Sequence, residues 1–502
     1  MQTFLAALPI LLLLTLMAVF RWSGRRAGIV SWLTALLIAS LFFGLTPQVF
    51  AVSQLKSIIF SLYVLVILWP ALLLYNLNNQ VGGIQALTAW LTELVPDRSL
   101  LVILLAWPFS SILEGVAGFG LPIAVAAPML ISLGVPPLSA VAASAIGHSW
   151  SVTFGNMGVV LQSLVGLSGY PESEIIPYAA LMMGVACLLC GLAAAHVLRQ
   201  SRHWKMVLLL AGLMAGVQYL VAQIGLSPLA SFSAALAGLL LGILLSRIRP
   251  GPKQAIGVPK ALWGTLGSYG LLTLLTMVIF IDGPLHRWLY PVLWRQPFPE
   301  VVTTSGFVTP ASFGQTFRWF AHPGSITAVV ILFSWLIFSR LKLTQPGDFL
   351  AAASRTYRGA FPATLGILVT VGLSVMMDHT GMMQLLARGL SEATGQIFPL
   401  LSPIVGMLGT FATSSNTNSN VLFVSLQKQV AGLIGVLPVI LVASQTAGGS
   451  LGSMIAPAKL IVGCSNVGLV GKEGQILRRT LPYNLAVALI IGLLALLLAL
   501  WK

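Results

Sequence analysis

The sequence predicts an all-α polytopic membrane protein built from two repeats of inverted topology, each containing interrupted helices or re-entrant segments. Three observations predict this fold class: the composition, the length and spacing of the apolar runs, and a set of motifs that occurs in both halves of the chain. Of the 502 residues, 57% are hydrophobic and only 7% are charged, whereas an average soluble domain carries about 25% charged residues. This composition excludes a soluble globular domain and is the reverse of a disordered chain.

The charge balance is strongly basic, with 26 Lys and Arg residues against 11 Asp and Glu residues. Such an excess can indicate nucleic-acid binding. Here, however, the basic residues are scattered between apolar runs, and no separate polar segment could form a basic surface. We therefore expect no nucleic-acid partner. We expect this chain to lie in the lipid bilayer. There, basic residues in the loops orient a protein that crosses the membrane several times.

The apolar runs give the predicted spans. A helix needs about 20 apolar residues to cross the hydrocarbon core, with roughly 17 as the lower limit. The runs that reach this length are 4–20, 28–44, 57–77, 176–198, 205–223, 228–246, 261–281, 323–340, 359–378 and 482–500. If the basic loop at 21–26 is cytoplasmic, most of the other basic residues fall on the same side. Because cytoplasmic loops are rich in Lys and Arg, both termini are predicted to lie outside the cytoplasm.

Internal similarity divides the chain into two units. Gly134 of LGVPP corresponds to Gly435 of IGVLP, and Gly147 corresponds to Gly448 at the same offset. Such self-similarity indicates a duplicated architecture. The predicted organisation is an N-terminal span and basic loop (1–27), a first repeat (28–200) with broken segments at 99–166, linking spans and an outside loop (201–322), and a second repeat (323–502) with broken segments at 399–470.

Polar and glycine-rich interruptions divide these broken segments. They fall at 114–120, 134–137 and 147–149 in the first repeat and at 413–420, 435–438 and 445–449 in the second. The first repeat enters its broken region from the cytoplasm and the second from outside, so the repeats are predicted to be inverted. Paired interrupted helices in inverted repeats are typical of a secondary transporter with a binding site near the midplane. The alternative is a duplication whose glycines serve only close helix packing.

The interruptions supply hydrogen-bonding groups at membrane depth, where irregular backbone must be buried in protein or line a wet cavity. The run Ser414–Asn420 favours a helix N-terminus, which holds an anion through free N–H groups. Glycines of the first repeat let the backbone approach a ligand. The predicted substrate-binding residues are Gly115, Gly118, Phe119, Gly120, His148, Ser149, Ser414, Ser415, Asn416, Thr417, Ser419, Asn420, Gln445, Thr446, Gly448 and Gly449.

Glu114 is the acidic residue placed inside a broken segment, and intramembrane ionisable groups are functional candidates. We expect it to carry a co-transported proton, with His148 as a second candidate; a structural hydrogen bond is the alternative for each. Lys459 could pair with an anionic substrate, but snorkelling to the surface is favoured. Cys187 and Cys190 are expected to be core residues, not a metal or redox site. No catalytic motif is recognisable, so we expect neither an enzyme nor a cofactor.

Two motifs resemble a known family. The stretch EGVAGFGLPIA at 114–124 resembles the EG-x-AGFG-x-P motif of the bacterial L-lactate permease family, and LGTFATSSNTNSNVLF at 408–423, ASQTAGGSLGSMIAP at 443–457 and VGLVGKE at 467–473 extend the resemblance. It implies proton-coupled import of lactate, glycolate or a related 2-hydroxymonocarboxylate across the plasma (inner) membrane of a prokaryote. Distantly, the chain is similar to the ion-transporter superfamily, in which Ser-Asn-Thr motifs bind carboxylates and often sodium. Those distant relatives also imply a homodimer.

Three positions depart from the family pattern. Asn416 stands where the permeases usually have Asp, Ser453 where they usually have Lys, and His148 where they have Asn. The predicted function is thus proton symport of a small 2-hydroxymonocarboxylate. A sodium-coupled carrier of another carboxylate is the close alternative, and a channel or a membrane-embedded enzyme is the remote one.

Overall fold

The structure is a computed structural model, and it describes residues 2–20, 22–116, 118, 120–248 and 259–501. Nearly all of the regular structure in these ranges is helical. Within them, 12 helical segments are long and apolar enough to cross a membrane. The predicted all-α polytopic membrane fold is thereby confirmed.

The described residues of the first half form ten α-helices. The helices α1 (Gln2–Ala18) and α2 (Gly24–Phe42) precede the long α3 (Pro47–Gln80). Thr46 caps α3 by accepting a hydrogen bond from the N–H of Val49, and Pro47 occupies the first turn, which together favour a helix start. The shorter helices that follow are α4 (Gly83–Leu94), α5 (Arg98–Leu104), α6 (Ser110–Val116), α7 (Leu121–Ser132), α8 (Pro137–Ser149), α9 (Val159–Ser168) and α10 (Glu172–Val197).

A π-helical turn, Leu105–Phe109, joins α5 to α6 into one membrane-long segment. Pro108 lies in this turn, and because it has no N–H it disturbs the regular α-helical bonding. Trp107 and Phe109 in the same turn are fully buried. The segment ends at Val116, so that Glu114 lies in its last turn.

The middle of the chain and the second half complete the helix set. The linking helices are α11 (Trp204–Gln223), α12 (Ala230–Ile248), α13 (Lys260–Phe280) and the short α14 (Pro284–Leu289). The helices of the second half are α15 (Pro323–Arg340), α16 (Asp348–His379), α17 (Met382–Thr394), α18 (Phe398–Thr413), α19 (Asn416–Ile434), α20 (Pro438–Gly452), α21 (Pro457–Asn466) and α22 (Glu473–Leu500).

The predicted outside loop contains a β-hairpin that the sequence analysis did not predict. Three short antiparallel ladders form it, β1 (Leu293–Trp294) with β6 (Phe317–Arg318), β2 (Pro297–Phe298) with β5 (Ser312–Phe313), and β3 (Val301–Val302) with β4 (Val308–Thr309). The Ser305 hydroxyl donates to the Phe43 carbonyl at 2.9 Å, and Thr309 donates to the His379 carbonyl at 3.4 Å. The hairpin therefore covers the α2–α3 connection and the end of α16.

The two halves have matching element orders and exchange equivalent contacts. When α5 and α6 are counted as one segment, α2 to α10 correspond in order and relative length to α15 to α22. The long helices α3 and α16 pack against each other. In addition α2 contacts α16 while α15 contacts α3, α9 contacts α19 while α21 contacts α7, and α8 contacts α22 while α20 contacts α10. Such reciprocal contacts are what a two-fold relationship between the units produces.

Two of the predicted interruptions lie elsewhere than expected. Residues 147–149 and 445–449 are helical parts of α8 and α20, and the chain leaves the helix only after them, at 150–155 and 453–456. The glycines there lie inside continuous helices. They serve close approach of a neighbouring helix, which small residues allow. A Cβ on Gly147 would overlap the Ala106 carbonyl, and one on Gly448 would overlap the Pro403 carbonyl.

Candidate functional site

Three helices of the broken regions begin close to one another. Helix α7 begins after Gly120, which has a left-handed φ of +83°; α19 begins after Ser415, whose hydroxyl accepts from the N–H of Asn418 at 3.3 Å; and α21 begins after Ala456. The Ser414 hydroxyl accepts from the Ala458 N–H at 3.1 Å, which ties the start of α21 to the break before α19. Helix N-termini carry partial positive charge and free N–H groups, so this convergence suits an anion.

Gly120 and Gly118 bring the backbone of the first half to the same place. A Cβ on Gly120 would lie 3.5 Å from the Lys459 Cα, and one on Gly118 would lie 3.1 Å from Glu114 Oε1. Both glycines have positive φ, which residues with a side chain rarely adopt. Phe119, between them, lies outside the described residues.

Glu114, His148 and Lys459 form a buried ionisable cluster beside these helix starts. Glu114 is 2% exposed and His148 is fully buried. Glu114 Oε1 lies 3.7 Å from the Lys459 Nζ, and Glu114 Oε2 lies 3.9 Å from His148 Nε2. Sequence reasoning favoured a snorkelling Lys459, and this is wrong: its side chain turns inward to Glu114 and is 9% exposed. The chain bends at 453–456 and starts a new helix at Pro457, and Lys459 in the first turn of that helix faces Glu114.

The His148 ring is held in one tautomer when neutral. Nδ1 lies 2.8 Å from the Ser144 carbonyl oxygen. Since that oxygen can only accept, Nδ1 carries the hydrogen and Nε2 carries the lone pair. His148 Nε2 and Glu114 Oε2 face each other, and neither has a hydrogen-bond partner among the described residues. The pair therefore has room for one proton between two buried acceptors.

Thr446 is the centre of a second group of predicted residues. Its carbonyl oxygen accepts from the Asn416 side-chain amide at 3.1 Å, and its hydroxyl accepts from the Asn420 amide at 3.1 Å. Thr153, which sequence reasoning missed, donates to the same carbonyl oxygen at 3.1 Å. All four residues are buried. The irregular segment after α8 thus meets α19 and α20 at the level of the Ser415–Asn420 turn.

Ser419 and Gln445 belong to an interhelical network. Gln445 donates to the Ser419 hydroxyl at 3.0 Å and accepts from the Gln427 amide at 2.9 Å, while the Ser419 hydroxyl donates to the Gly406 carbonyl at 2.7 Å. These bonds join α18, α19 and α20. Both predicted residues therefore use much of their hydrogen-bonding capacity to fix the helices that carry the site.

The remaining predicted residues lie around this centre. A Cβ on Gly115 would be 3.0 Å from the Phe232 Cβ, so Gly115 gives α6 close contact with α12. Gly449 lies against the Asn416 side-chain oxygen. The Ser149 hydroxyl donates to the Ile146 carbonyl at 2.8 Å, and Thr417 is buried in the first turn of α19. Of these residues, Gly449 contacts a side chain of the Thr446 group, whereas Gly115 packs against α12 and the Ser149 hydroxyl bonds within α8.

The sequence analysis missed two residues of this region, Thr153 and Asn156, and neither has a sequence signal that marks it. Thr153 and Asn156 lie in the irregular segment between α8 and α9, and a Cβ on Gly118 would be 3.5 Å from the Asn156 Cβ.

No group of three or more His, Cys, Asp and Glu side chains among the residues that the structure describes could hold a metal ion. Cys187 and Cys190 are buried in α10.

Comparison with known proteins gives a consistent relationship. The sequence model of the L-lactate permease family matches residues 2–257 and 296–501. The L-lactate permease of Escherichia coli K12 is 28% identical over 535 residues, covering 98% of this chain and 95% of the relative. Glycolate permease GlcA of the same strain is 26% identical over 538 residues, covering 99% and 95%. Among solved structures, MtrF of Neisseria gonorrhoeae, described with a class of antimetabolite efflux pumps, has 16% identity and a TM-score of 0.49, covering 96% of this chain and 95% of its own. The chain is a membrane transporter, not an enzyme, and it belongs to the L-lactate permease family.

Proposed function

We propose that the protein imports a small 2-hydroxymonocarboxylate, lactate or glycolate, together with a proton. The names of the relatives support this substrate class. The observation that carries the proposal is the buried Glu114–His148–Lys459 cluster beside three helix N-termini. A cluster of this kind can accept a proton and a carboxylate in one place.

The helix starts supply groups for the carboxylate and hydroxyl of the substrate. Backbone N–H groups at the first turns of α7 and α19 lie next to the break residues Gly120 and Ser415. Such groups bind carboxylate oxygens without adding a full charge. Hydroxyl and amide side chains at Thr417 and Asn418 provide further donors and acceptors for a 2-hydroxyl group.

Glu114 is the proposed proton carrier. In its ionised form it places an acceptor, Oε2, opposite the lone pair of His148 Nε2. A proton on Glu114 turns Oε2 into a donor that faces this lone pair. The contact is then attractive, so the pair favours binding one proton.

The transport cycle uses the relationship between the two halves. The reciprocal contacts of equivalent helices support a two-fold axis, and we propose that this axis lies in the membrane plane, which makes the repeats inverted. Both termini and the β-hairpin are then outside the cytoplasm, in keeping with the positive-inside rule. The helices α7 and α19 would change access by shifting against the long α3 and α16.

Sodium is the second candidate coupling ion. The side-chain oxygens of Asn416, Asn418 and Asn420 and the hydroxyl of Thr410 are buried without a hydrogen-bond partner among the described residues. Neutral oxygens of this kind suit a hard cation. Sodium coupling therefore competes with proton coupling at the start of α19.

Uptake of labelled lactate and glycolate into proteoliposomes tests the proposal. A proton gradient and a sodium gradient are imposed separately, and accumulation is expected with the proton gradient alone. The Glu114→Gln variant should lose concentrative uptake while it keeps exchange of internal for external substrate. The exposed Glu392→Gln on α17 is the matched control and should behave like wild type. Uptake driven only by sodium would exclude proton coupling, and no uptake of either acid under either gradient would exclude the substrate class.

A further inference from the structure

We propose that Lys459 is the residue that binds the substrate carboxylate, and that protonation of Glu114 is what releases it to do so. This inference rests on the proposed function and names the residues through which proton and substrate are coupled. Lys459 belongs to the second half of the chain and Glu114 to the first, so the exchange of partners takes place between the two units.

The position of Lys459 fits an anion ligand. It lies in the first turn of α21, next to the N–H of Ala458 that donates to Ser414. The backbone at Gly120 passes close to its Cα. A carboxylate at this ammonium group would therefore also meet the positive ends of α7, α19 and α21. The start of α21 is thus electropositive even without the lysine.

The contact between Lys459 and Glu114 leaves the ammonium group available. Charge-assisted N–H···O bonds are usually about 2.7–2.9 Å long, whereas the Nζ and Oε1 atoms are 3.7 Å apart. An ammonium group has three donors and can turn between two acceptors. A substrate carboxylate could replace Glu114 at Lys459 without a large movement of either side chain.

Charge balance makes the exchange obligatory. Among the described residues, the charged or titratable groups in contact at this point are Glu114 from α6, His148 from α8 and Lys459 from α21, while Gly120 before α7 and Asn156 before α9 are neutral neighbours. The empty site is neutral because Glu114 and Lys459 compensate each other. The site with both proton and carboxylate is also neutral. A carboxylate alone leaves one net negative charge and a proton alone leaves one net positive charge, and a buried net charge is costly.

One proton therefore accompanies each carboxylate. Only the empty and the doubly loaded forms carry no net charge in the site, so only these forms can reorient readily. His148 contributes by offering its Nε2 lone pair to protonated Glu114, which places the proton on Oε2, the oxygen that faces His148, and not on Oε1, which faces Lys459. The role of His148 is therefore to position the protonated carboxyl group.

The test is equilibrium binding of lactate to the purified full-length protein, with counterflow in proteoliposomes as the second readout. Wild type should bind more tightly as pH falls. The Glu114→Gln variant, in which Lys459 is permanently free, should bind tightly with no pH dependence over roughly pH 5.5 to 8. The Lys459→Met variant should bind at least about 30-fold more weakly at every pH. The exposed Lys472→Met is the control and should match wild type.

The double variant Glu114→Gln/Lys459→Met decides between binding and structural roles. It has no uncompensated buried charge, so it carries the test even where Lys459→Met alone fails to fold. If Lys459 binds the carboxylate, the double variant stays at least about 30-fold weaker than Glu114→Gln. If Lys459 only neutralises Glu114, the double variant recovers the binding and counterflow of Glu114→Gln, and the inference is wrong. A wild-type protein that binds neither lactate nor glycolate would instead overturn the proposed function.

Discussion

Gly448 of α20 lies directly against the backbone of Pro403 in α18, so closely that a Cβ on Gly448 would overlap the Pro403 carbonyl oxygen. Gly147, its counterpart in the first half, stands in the same relation to the Ala106 carbonyl. Both contacts join a helix that precedes an irregular segment to the interrupted helix beside it. The repeated glycines therefore serve close packing that places the site residues on α8 and α20.

The close packing of Gly448 predicts that one added methyl group at this position lowers the stability of the protein. Gly448→Ala should destabilise the protein by about 1–3 kcal/mol, because overpacking forces backbone shifts. Gly216→Ala in α11, where no atom lies within 4 Å of the added Cβ, is the control and should be neutral or stabilising because alanine favours a helix. Thermal unfolding in detergent measures both, and equal melting temperatures for the two variants would contradict the packing role.

We expect Asn416 to tolerate replacement by aspartate poorly. Its amide nitrogen donates to the Thr446 carbonyl, and a carboxylate there would lose the donor and face the oxygen. We expect Asn416→Asp to lower lactate uptake at least about tenfold, since the substitution places a buried carboxylate against the Thr446 carbonyl oxygen, and an unpaired buried charge is costly. Asn466→Asp, at an exposed position on α21, should have little effect. Wild-type uptake by Asn416→Asp would show that the donated hydrogen bond is dispensable.

We expect the free energy of unfolding to depend on pH through His322. It lies just before α15, where its Nδ1 accepts from the Gly324 N–H, and burial lowers its pKa from 6.5 to about 4. The native state thus binds fewer protons than the unfolded state between these values, so stability falls as pH drops through this window. The loss should approach about 1.4 kcal/mol per pH unit.

The variant His322→Asn isolates this effect, because asparagine keeps a capping oxygen but does not titrate. Its melting temperature should fall less between pH 7 and pH 5 than that of wild type. Identical pH dependence in both proteins would rule out His322 as the source.

The proposed orientation is testable with single cysteines. Cys187, Cys190 and Cys464 are buried, so an introduced cysteine can be followed against a low background. Glu300→Cys in the hairpin should react with a membrane-impermeant maleimide in intact cells, whereas Lys472→Cys before α22 should react only after permeabilisation. The reverse pattern would place the termini in the cytoplasm.

Proton–carboxylate symport through a neutral site should move no net charge. An imposed potential of about 100 mV is worth about 2.3 kcal/mol per elementary charge, or roughly 50-fold in accumulation. We therefore expect the accumulation ratio of lactate in proteoliposomes to be unaffected by a potassium diffusion potential at constant pH gradient. A large increase would mean that an additional cation crosses with each substrate.

Much of the fold follows from local features of the sequence. Apolar run lengths marked most of the spans, and the polar run at 413–420 marked the start of a half-helix, because Ser415 can cap it wherever the helix is packed. The hairpin was not predicted because each of its strands is two residues long, which is too short for a periodic pattern. Asn416, Asn420 and Thr446 were predicted from polarity alone, and the structure joins them.

The sequence itself determined membrane insertion, the division into two similar halves and the presence of Glu114 in a broken helix. Hydrophobicity and capping act residue by residue, so they can be recognised without the tertiary structure. Only the tertiary structure decided that Lys459 faces Glu114, that Gly448 packs against Pro403, and that Thr153 reaches Thr446. Those contacts join distant parts of the chain. They depend on where the chain bends at 453–456 and on how one half lies against the other, and no local pattern carries that information.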